Sequence, residues 1–386
     1  MLRLRHLGSG METTEKLLSE LIALPSVNPA FLPAGDPQAG EQRVADFLAT
    51  IAAQAGLDIE FQNVLPGRSN VIARLSPPGK IRRRLLLAPH LDTVPAAAES
   101  QFTPFKKNGR LSGRGACDTK GSVAAMLAAL CELAGSGQRP QETEIIFAGL
   151  VDEENAQAGS RAFASSGLQA DLAIVGEPTR LQVVTAHKGS LWLKLVTRGK
   201  AAHGARPALG RNAVHAMARI VDTLETDYAA QLRRRRHPLL GHATVNVGMI
   251  HGGTQPNIVP DACSITIDRR TLPGETETGV RREITALLAR KKLRANFAPG
   301  KPAPSLPLET KTSLPLVRQF MRCAGQTRPA GVEYFCDASV LAGGGIPSVV
   351  FGPGDIAQAH TADEWISLAS LKGAKDILLR LFRSLP

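Results

Sequence analysis

LLLAPHLDTVP, Leu85 to Pro95, sets three consecutive leucines ahead of a proline, a histidine and, two positions later, an aspartate. A continuous apolar run closed by proline and followed by polar side chains reads as a strand buried on both faces, which belongs in a sheet covered by helices. Three further stretches repeat the pattern. Ile145-Ile146-Phe147 leads to Glu153 and Glu154 in EIIFAGLVDEEN, Leu172 to Val175 leads to Glu177 in DLAIVGEPT, and Val349-Val350-Phe351 precedes His360 in GPGDIAQAHTADEW. A fifth segment, GRGACDTKG (Gly113 to Gly121), carries Asp118. Polar groups just past such strands converge on one crevice of an open α/β sheet, so an α/β fold with a ligand site at the strand ends is predicted.

The residue types in those segments suit divalent metal. His90 and His360 supply imidazole, while Asp118, Glu154 and Glu177 supply carboxylates, a charge that two divalent ions and one hydroxide would balance. Nitrogen and oxygen donors of this kind suit zinc, with cobalt or manganese as substitutes, better than magnesium or calcium. Asp92 is placed to hydrogen-bond an imidazole and fix its tautomer. If the backbone is extended at Glu153-Glu154, the two side chains diverge, so that one ligates metal while the other takes a proton from water.

In this order the five motifs closely resemble the two-zinc metallopeptidase and deacylase family that contains acetylornithine deacetylase, succinyl-diaminopimelate desuccinylase, aminoacylase and a glutamate carboxypeptidase. The likeness runs from about Thr13 to the C-terminus. It implies a mixed-sheet, three-layer, zinc-exopeptidase-like catalytic domain made of residues 1–180 and 298–386, interrupted at 181–297 by an α+β (βαββαβ) lid and dimerisation domain. It also implies that His90 and Glu177 hold one metal, Glu154 and His360 the other, and Asp118 bridges them. Glu153 matches the family's general base and Asp92 its imidazole-orienting aspartate. A cis peptide is implied at Asp118-Thr119, with Thr119 standing where relatives often carry Met.

The middle of the chain fits the insert. LWLKLVTRGKA alternates as a strand. Val214, Met217, Val221, Leu224 and Tyr228 then recur at helical spacing, and strands at Thr244 to Ile250 and Cys263 to Asp268 precede a helix from Glu277 to Leu288. GKAAHGARPALGRNA (Gly199 to Ala213) is similar to the family's lid signature. By that resemblance His203 reaches a partner subunit's active site to stabilise the oxyanion, and Asn257 and Arg270 bind the substrate carboxylate. A guanidinium suits that task because it grips a carboxylate with two parallel hydrogen bonds. Arg270 has a second reading, a structural ion pair with Asp268 or Glu275. Gly344, in the run Gly343 to Gly345, allows close backbone approach to a ligand. His187, His215, His237, His242 and His251 are assigned no role.

Composition limits the alternatives. The 386 residues suggest two domains, and no apolar stretch is long enough for a membrane span. MLRLRHLGSG at the start is too short and too weakly apolar for a signal peptide, and METTEKLLSELIALPSVNP from Met11 reads as a helix entering a turn. Five cysteines without paired spacing fit reduced, buried thiols and a cytoplasmic protein; Cys117, beside Asp118, is read as packing. The formal charge of +12 comes with clusters at Arg82 to Arg84, Lys106-Lys107, Arg233 to Arg236 and Lys291-Lys292, yet aromatics make up only 4%, without the interleaved stacking residues of a nucleic-acid surface. A solvated basic surface is the expectation.

The predicted activity is metal-assisted hydrolysis of an amide in a small N-acyl amino acid or dipeptide, by a homodimer with two divalent ions per chain, zinc first. Glu153 serves as base and then as acid to the leaving amine, and no Ser or Cys nucleophile is needed. GPGDIAQAHTADEW is most similar to the acetylornithine deacetylase and desuccinylase branch, and Glu177, where family aminopeptidases tend to carry Asp, leans toward deacylases and carboxypeptidases. A zinc carboxypeptidase or an aminoacylase is the alternative, and a non-catalytic scaffold is disfavoured because no ligand is missing.

Overall fold

A computed structural model describes residues 10–299 and 305–386. The described residues divide into two compact units, the first drawn from 10–185, 310–330 and 336–386, the second from 186–299, 305–309 and 331–335. Residues 1–9, most of the MLRLRHLGSG stretch read above as too short and too weakly apolar for a signal peptide, lie outside the described residues. No helix among the described residues is long and apolar enough to cross a membrane.

The four apolar runs become the strands Arg83–Pro89, Thr143–Gly149, Leu172–Gly176 and Ser348–Val350, adjacent and parallel in the order 143–149, 83–89, 172–176, 348–350. Register sets Leu85 beside Ile145 on one side and Leu172 on the other. Antiparallel partners extend the sheet: the hairpin Asp58–Leu65 and Arg68–Leu75 beyond 143–149, and Val184–His187 beyond 348–350. The sheet is therefore mixed, as expected.

Alternation along these strands explains the layers. Leu85, Leu87, Ile145, Phe147, Leu172, Ile174 and Val349 join one core with the helices Gly10–Ile22, Gln42–Gln54, Lys120–Gly135 and Leu368–Arg383. Leu86, Ile146, Ala173, Val175 and Val350 face the other way and are equally buried, on the side where Ala158–Ser165 and Ala338–Gly343 pack. Each fully buried leucine or isoleucine contributes roughly 1.5–3 kcal/mol over an exposed one. Helix Lys120–Gly135 is apolar nearly all round because it lies inside this core, and the Nζ of its first residue, Lys120, donates to the carbonyls of Leu21 (2.9 Å) and Leu24 (2.7 Å) where the first helix ends.

The second unit has a four-stranded antiparallel sheet in the order Thr244–Gly252, Ala262–Thr271, Gly189–Arg198, Asn296–Ala298, with helices Ala213–Thr223 and Glu277–Arg290 sharing its core. The helical stripe is Met217, Ile220, Leu224 and Tyr228; Val214 and Val221 flank it half-buried. The divisions at Thr185/Ala186 and Glu309/Thr310 fall later than the sequence-based 180/181 and 297/298, and residues 331–335 join this unit rather than the first. Long-range contacts account for that return: Glu333 pairs with Lys188 at 2.7 Å, and Phe335 lies under the Arg270 guanidinium at 5.6 Å.

Candidate metal centre

The strand ends deliver the candidate ligands. His90 follows directly on Arg83–Pro89, Glu177 on Leu172–Gly176, and Glu153 and Glu154 stand a few residues past Thr143–Gly149. Asp118 ends the loop before helix Lys120–Gly135, across a cis Asp118-Thr119 peptide, and Thr119 Oγ1 donates to the Gly176 carbonyl at 2.7 Å. His360 lies ten residues past Ser348–Val350, with a left-handed backbone (φ 62°).

Two overlapping clusters result, His90 with Asp118 and Glu177, and Asp118 with Glu154 and His360, each with its ligand atoms within 4.8 Å of one another. Asp118 is common to both: Oδ1 lies 3.1 Å from His90 Nε2 and Oδ2 lies 3.4 Å from His360 Nε2. His90 Nε2 is 3.8 Å from Glu177 Oε1, and His360 Nε2 is 3.3 Å from Glu154. His90, Asp118 and Glu177 are buried, whereas the His360 side chain is 53% exposed.

Asp92 meets the His90 imidazole with its backbone carbonyl as well as its carboxylate. His90 Nδ1 is closer to the Asp92 carbonyl, at 3.0 Å, than to its carboxylate, at 3.5 Å. A carbonyl can only accept, so Nδ1 carries a proton and Nε2 is the nitrogen presented to the cluster. The Asp92 carboxylate also accepts the backbone N–H of Glu153 (3.0 Å) and Glu154 (3.1 Å) and the Asn28 amide (2.7 Å). The extended backbone expected at Glu153-Glu154 is corrected to a turn. It starts at Asp152, whose φ is 69°, and is closed by Gln157 N–H donating to the Asp152 carbonyl at 2.6 Å. The turn aims two successive amides at one carboxylate, which a strand could not do.

A buried polar network lies behind this turn. Asn28 Nδ2 also donates to Asp152 Oδ1 at 3.0 Å, and Arg68 grips Glu41 with two hydrogen bonds of 2.7 and 2.6 Å while its Nη2 reaches Asp152 at 3.1 Å. On the other side Glu364 accepts the amides of Gly115, Cys117 and Asp118 and pairs with Arg114. Of these residues, Asn28, Glu41, Arg68, Arg114, Asp152 and Glu364 were not singled out from sequence. The available signals were SVNP around Asn28, and Glu364 standing four residues after His360.

The electrostatics show an excess of acid. Burial, only partly offset by His90, holds Glu153 and Glu177 well above the usual carboxylate range, and neighbouring carboxylates push the same way. Burial and then Asp118 raise Glu154. For Asp118 burial is outweighed by the two imidazoles, which bring it below its ordinary value. Hydrogen bonds to Asp118 and Glu154 raise His360 to about 10. Buried carboxylates that repel one another, beside two imidazoles whose protons a cation would displace, meet the electrostatic requirement for bound cations, and the donor set fits borderline divalent ions. Cys117 stays apart: its Sγ donates to the Asp355 carbonyl at 3.3 Å, and burial pushes the thiol up.

The remaining predicted residues are placed as follows. His203, Asn257 and Arg270 belong to the second unit, whereas the acid and imidazole cluster lies wholly in the first. His203 and Asn257 come together: Gly204 N–H donates to the Asn257 carbonyl at 2.7 Å, and a Cβ on Gly204 would sit 2.9 Å from that oxygen, so only glycine fits. Arg270 Nε pairs with Asp268 at 3.0 Å, and Glu275 is taken by the buried Arg269 instead. Gly344 ends helix Ala338–Gly343, and its missing side chain makes room for Ala164, whose Cβ a substituent would meet at 2.7 Å. That glycine serves helix packing.

The profile of Peptidase family M20/M25/M40 matches residues 86–384. Acetylornithine deacetylase of Aliivibrio fischeri is 31% identical over 357 residues, 89% of this chain and 91% of that protein. Acetylornithine deacetylase of Proteus mirabilis is 31% identical over 389 residues, 97% of each. Among solved structures, aminopeptidase PepT from Bacillus cereus superposes with a TM-score of 0.78 at 21% identity, covering 97% of this chain and 98% of that one, a likeness of fold.

Proposed function

This chain belongs to peptidase family M20/M25/M40 and is a hydrolase of that family, and on that premise we propose that it is a metal-dependent amidohydrolase that removes the acyl group from an N-acyl amino acid. Similarity to proteins named acetylornithine deacetylase over nearly the whole length favours N-acetylornithine or an analogue such as N-succinyl-diaminopimelate. The observation that carries the reading is the Asp118 carboxylate, with one oxygen toward each of two imidazoles in overlapping ligand clusters.

In this reading His90, Asp118 and Glu177 would hold one ion and Asp118, Glu154 and His360 a second, with zinc favoured and cobalt or manganese as substitutes. Bound there, the ions would supply Lewis acidity to the amide carbonyl and acidify water. Glu153 takes the proton from the attacking water and returns it to the leaving amine, so one carboxylate is base and then acid. Its raised proton affinity suits both roles. Asp92 holds the Glu153 and Glu154 amides and the His90 tautomer in place. His203 stabilises the oxyanion from a partner subunit, and Arg270, with Asn257, receives the substrate carboxylate, exchanging Asp268 for it. Gly344 carries no part of this reading. The second unit serves as lid and dimerisation domain of a homodimer. Placement in the cytoplasm is supported by five cysteines that are all unpaired.

The test is a hydrolysis panel with zinc- or cobalt-loaded protein: N-acetylornithine, N-succinyl-diaminopimelate, other N-acetyl amino acids and dipeptides ending in glutamate. Acyl release from the first two, abolished by chelation, is expected. Preferential cleavage of the dipeptides or of many N-acetyl amino acids would replace this reading with a carboxypeptidase or an aminoacylase.

A further inference from the structure

The loops that carry Asp118 and His360 are cross-tied by one buried ion pair. Both oxygens of Glu364 are filled: Oε1 accepts the N–H of Cys117 (2.8 Å) and of Asp118 (2.9 Å), and Oε2 accepts Gly115 N–H (2.9 Å) and Arg114 Nη1 (2.7 Å). The Glu364 carbonyl also accepts Gly113 N–H at 3.0 Å. Arg114 completes the tie from its own side, since its Nη2 donates to the carbonyl of Thr361, the residue after His360, at 3.2 Å. Both side chains are almost fully buried, 3% exposed for Arg114 and 0% for Glu364.

The ligands differ in how they are held. His90 is buried and fixed by the Asp92 carbonyl, and Glu177 follows directly on a central strand. His360 is the most exposed ligand, on a left-handed backbone in a loop, with no strand adjoining it. We infer that Glu364 and Arg114 are positioning residues that set the His360 loop against Asp118 and thereby build the second of the two metal positions. The inference rests on the ligand assignment proposed above. Losing the tie releases His360 and leaves His90 and Glu177 anchored, so the two positions respond unequally.

The test titrates cobalt(II) into the chelator-stripped, full-length protein, following d–d absorption and calorimetry, for wild type, Glu364→Gln and Arg114→Lys. Gln keeps the shape but presents an NH2 group to backbone donors, and Lys keeps the charge but cannot reach Glu364 and Thr361 together. Wild type is expected to bind two ions. Both variants are expected to bind the first ion within about threefold of wild type and the second about 10- to 100-fold more weakly, as for other residues that orient ligands. Should Glu364→Gln not fold, Arg114→Lys carries the same comparison. Equal binding of both ions by wild type and variant, or equal weakening of both, overturns the inference. Fewer than two ions on the wild type overturns the ligand assignment itself, and the inference with it.

Discussion

Asn28 Nδ2 donates to Asp92 Oδ2 at 2.7 Å across 64 positions of sequence, and the same amide nitrogen reaches Asp152 Oδ1 at 3.0 Å. One neutral side chain thus separates two buried carboxylates that flank the turn carrying Glu153. Replacing Asn28 with Ala removes two hydrogen bonds to charged groups, each worth about 1.5–3 kcal/mol. Urea unfolding is expected to show a loss in that range or above it, and kcat to fall about 10- to 100-fold as the Glu153 turn loosens. Asn28→Asp places a third acid there and is expected to be worse on both counts.

Glu153→Gln keeps size and removes basicity. Turnover is expected to fall by at least 100-fold, the lower end of what general acid and base catalysis supplies, while metal content by elemental analysis stays at the wild-type level. Activity within a factor of ten of wild type would dismiss Glu153 as the base.

Metal removal is expected to lower the melting temperature, because the Glu153, Glu154 and Glu177 cluster is then left without its counter-charge. A ligand present at a thousandfold excess over its Kd stabilises by about 4 kcal/mol. Calorimetric scans with chelator, then with zinc restored, check this. No difference between the two scans would argue against ions at the cluster.

His187, assigned no role from sequence, is fully buried, its Nδ1 2.8 Å from the Lys188 carbonyl, and burial lowers it to about 4. Since its folded value lies below the ordinary 6.5, the unfolded chain binds the extra proton. The contribution is therefore complete above pH 6.5 and is lost as pH falls toward 4. At 1.36 kcal/mol per pH unit the loss is about 3 kcal/mol. Stability measured across that interval is expected to decline less steeply in His187→Gln.

Much of this protein can be read along the chain, for identifiable reasons. Leu85 to Leu87, Ile145 to Phe147 and Leu172 to Val175 announce buried strands because both faces must be apolar when helices cover both. The site candidates are readable because His90, Glu177, Glu153 and Glu154 stand at or near the ends of those strands, and Asp118 and His360 lie in polar loops of the same segments. The extended backbone expected at Glu153 failed because turn geometry there depends on Asp92, 61 positions away, accepting its amide. Arg68 with Glu41, Arg114 with Glu364 and Asn28 with Asp92 were illegible for the same reason: a buried hydrogen bond has no period in sequence, and its partner is chosen by packing. Sequence alone determined which chemistry is on offer, since residue type dictates what can ligate a cation or carry a proton. Tertiary structure decided which groups meet and which are pinned, because distance and burial, unlike identity, exist only once the chain has closed on itself.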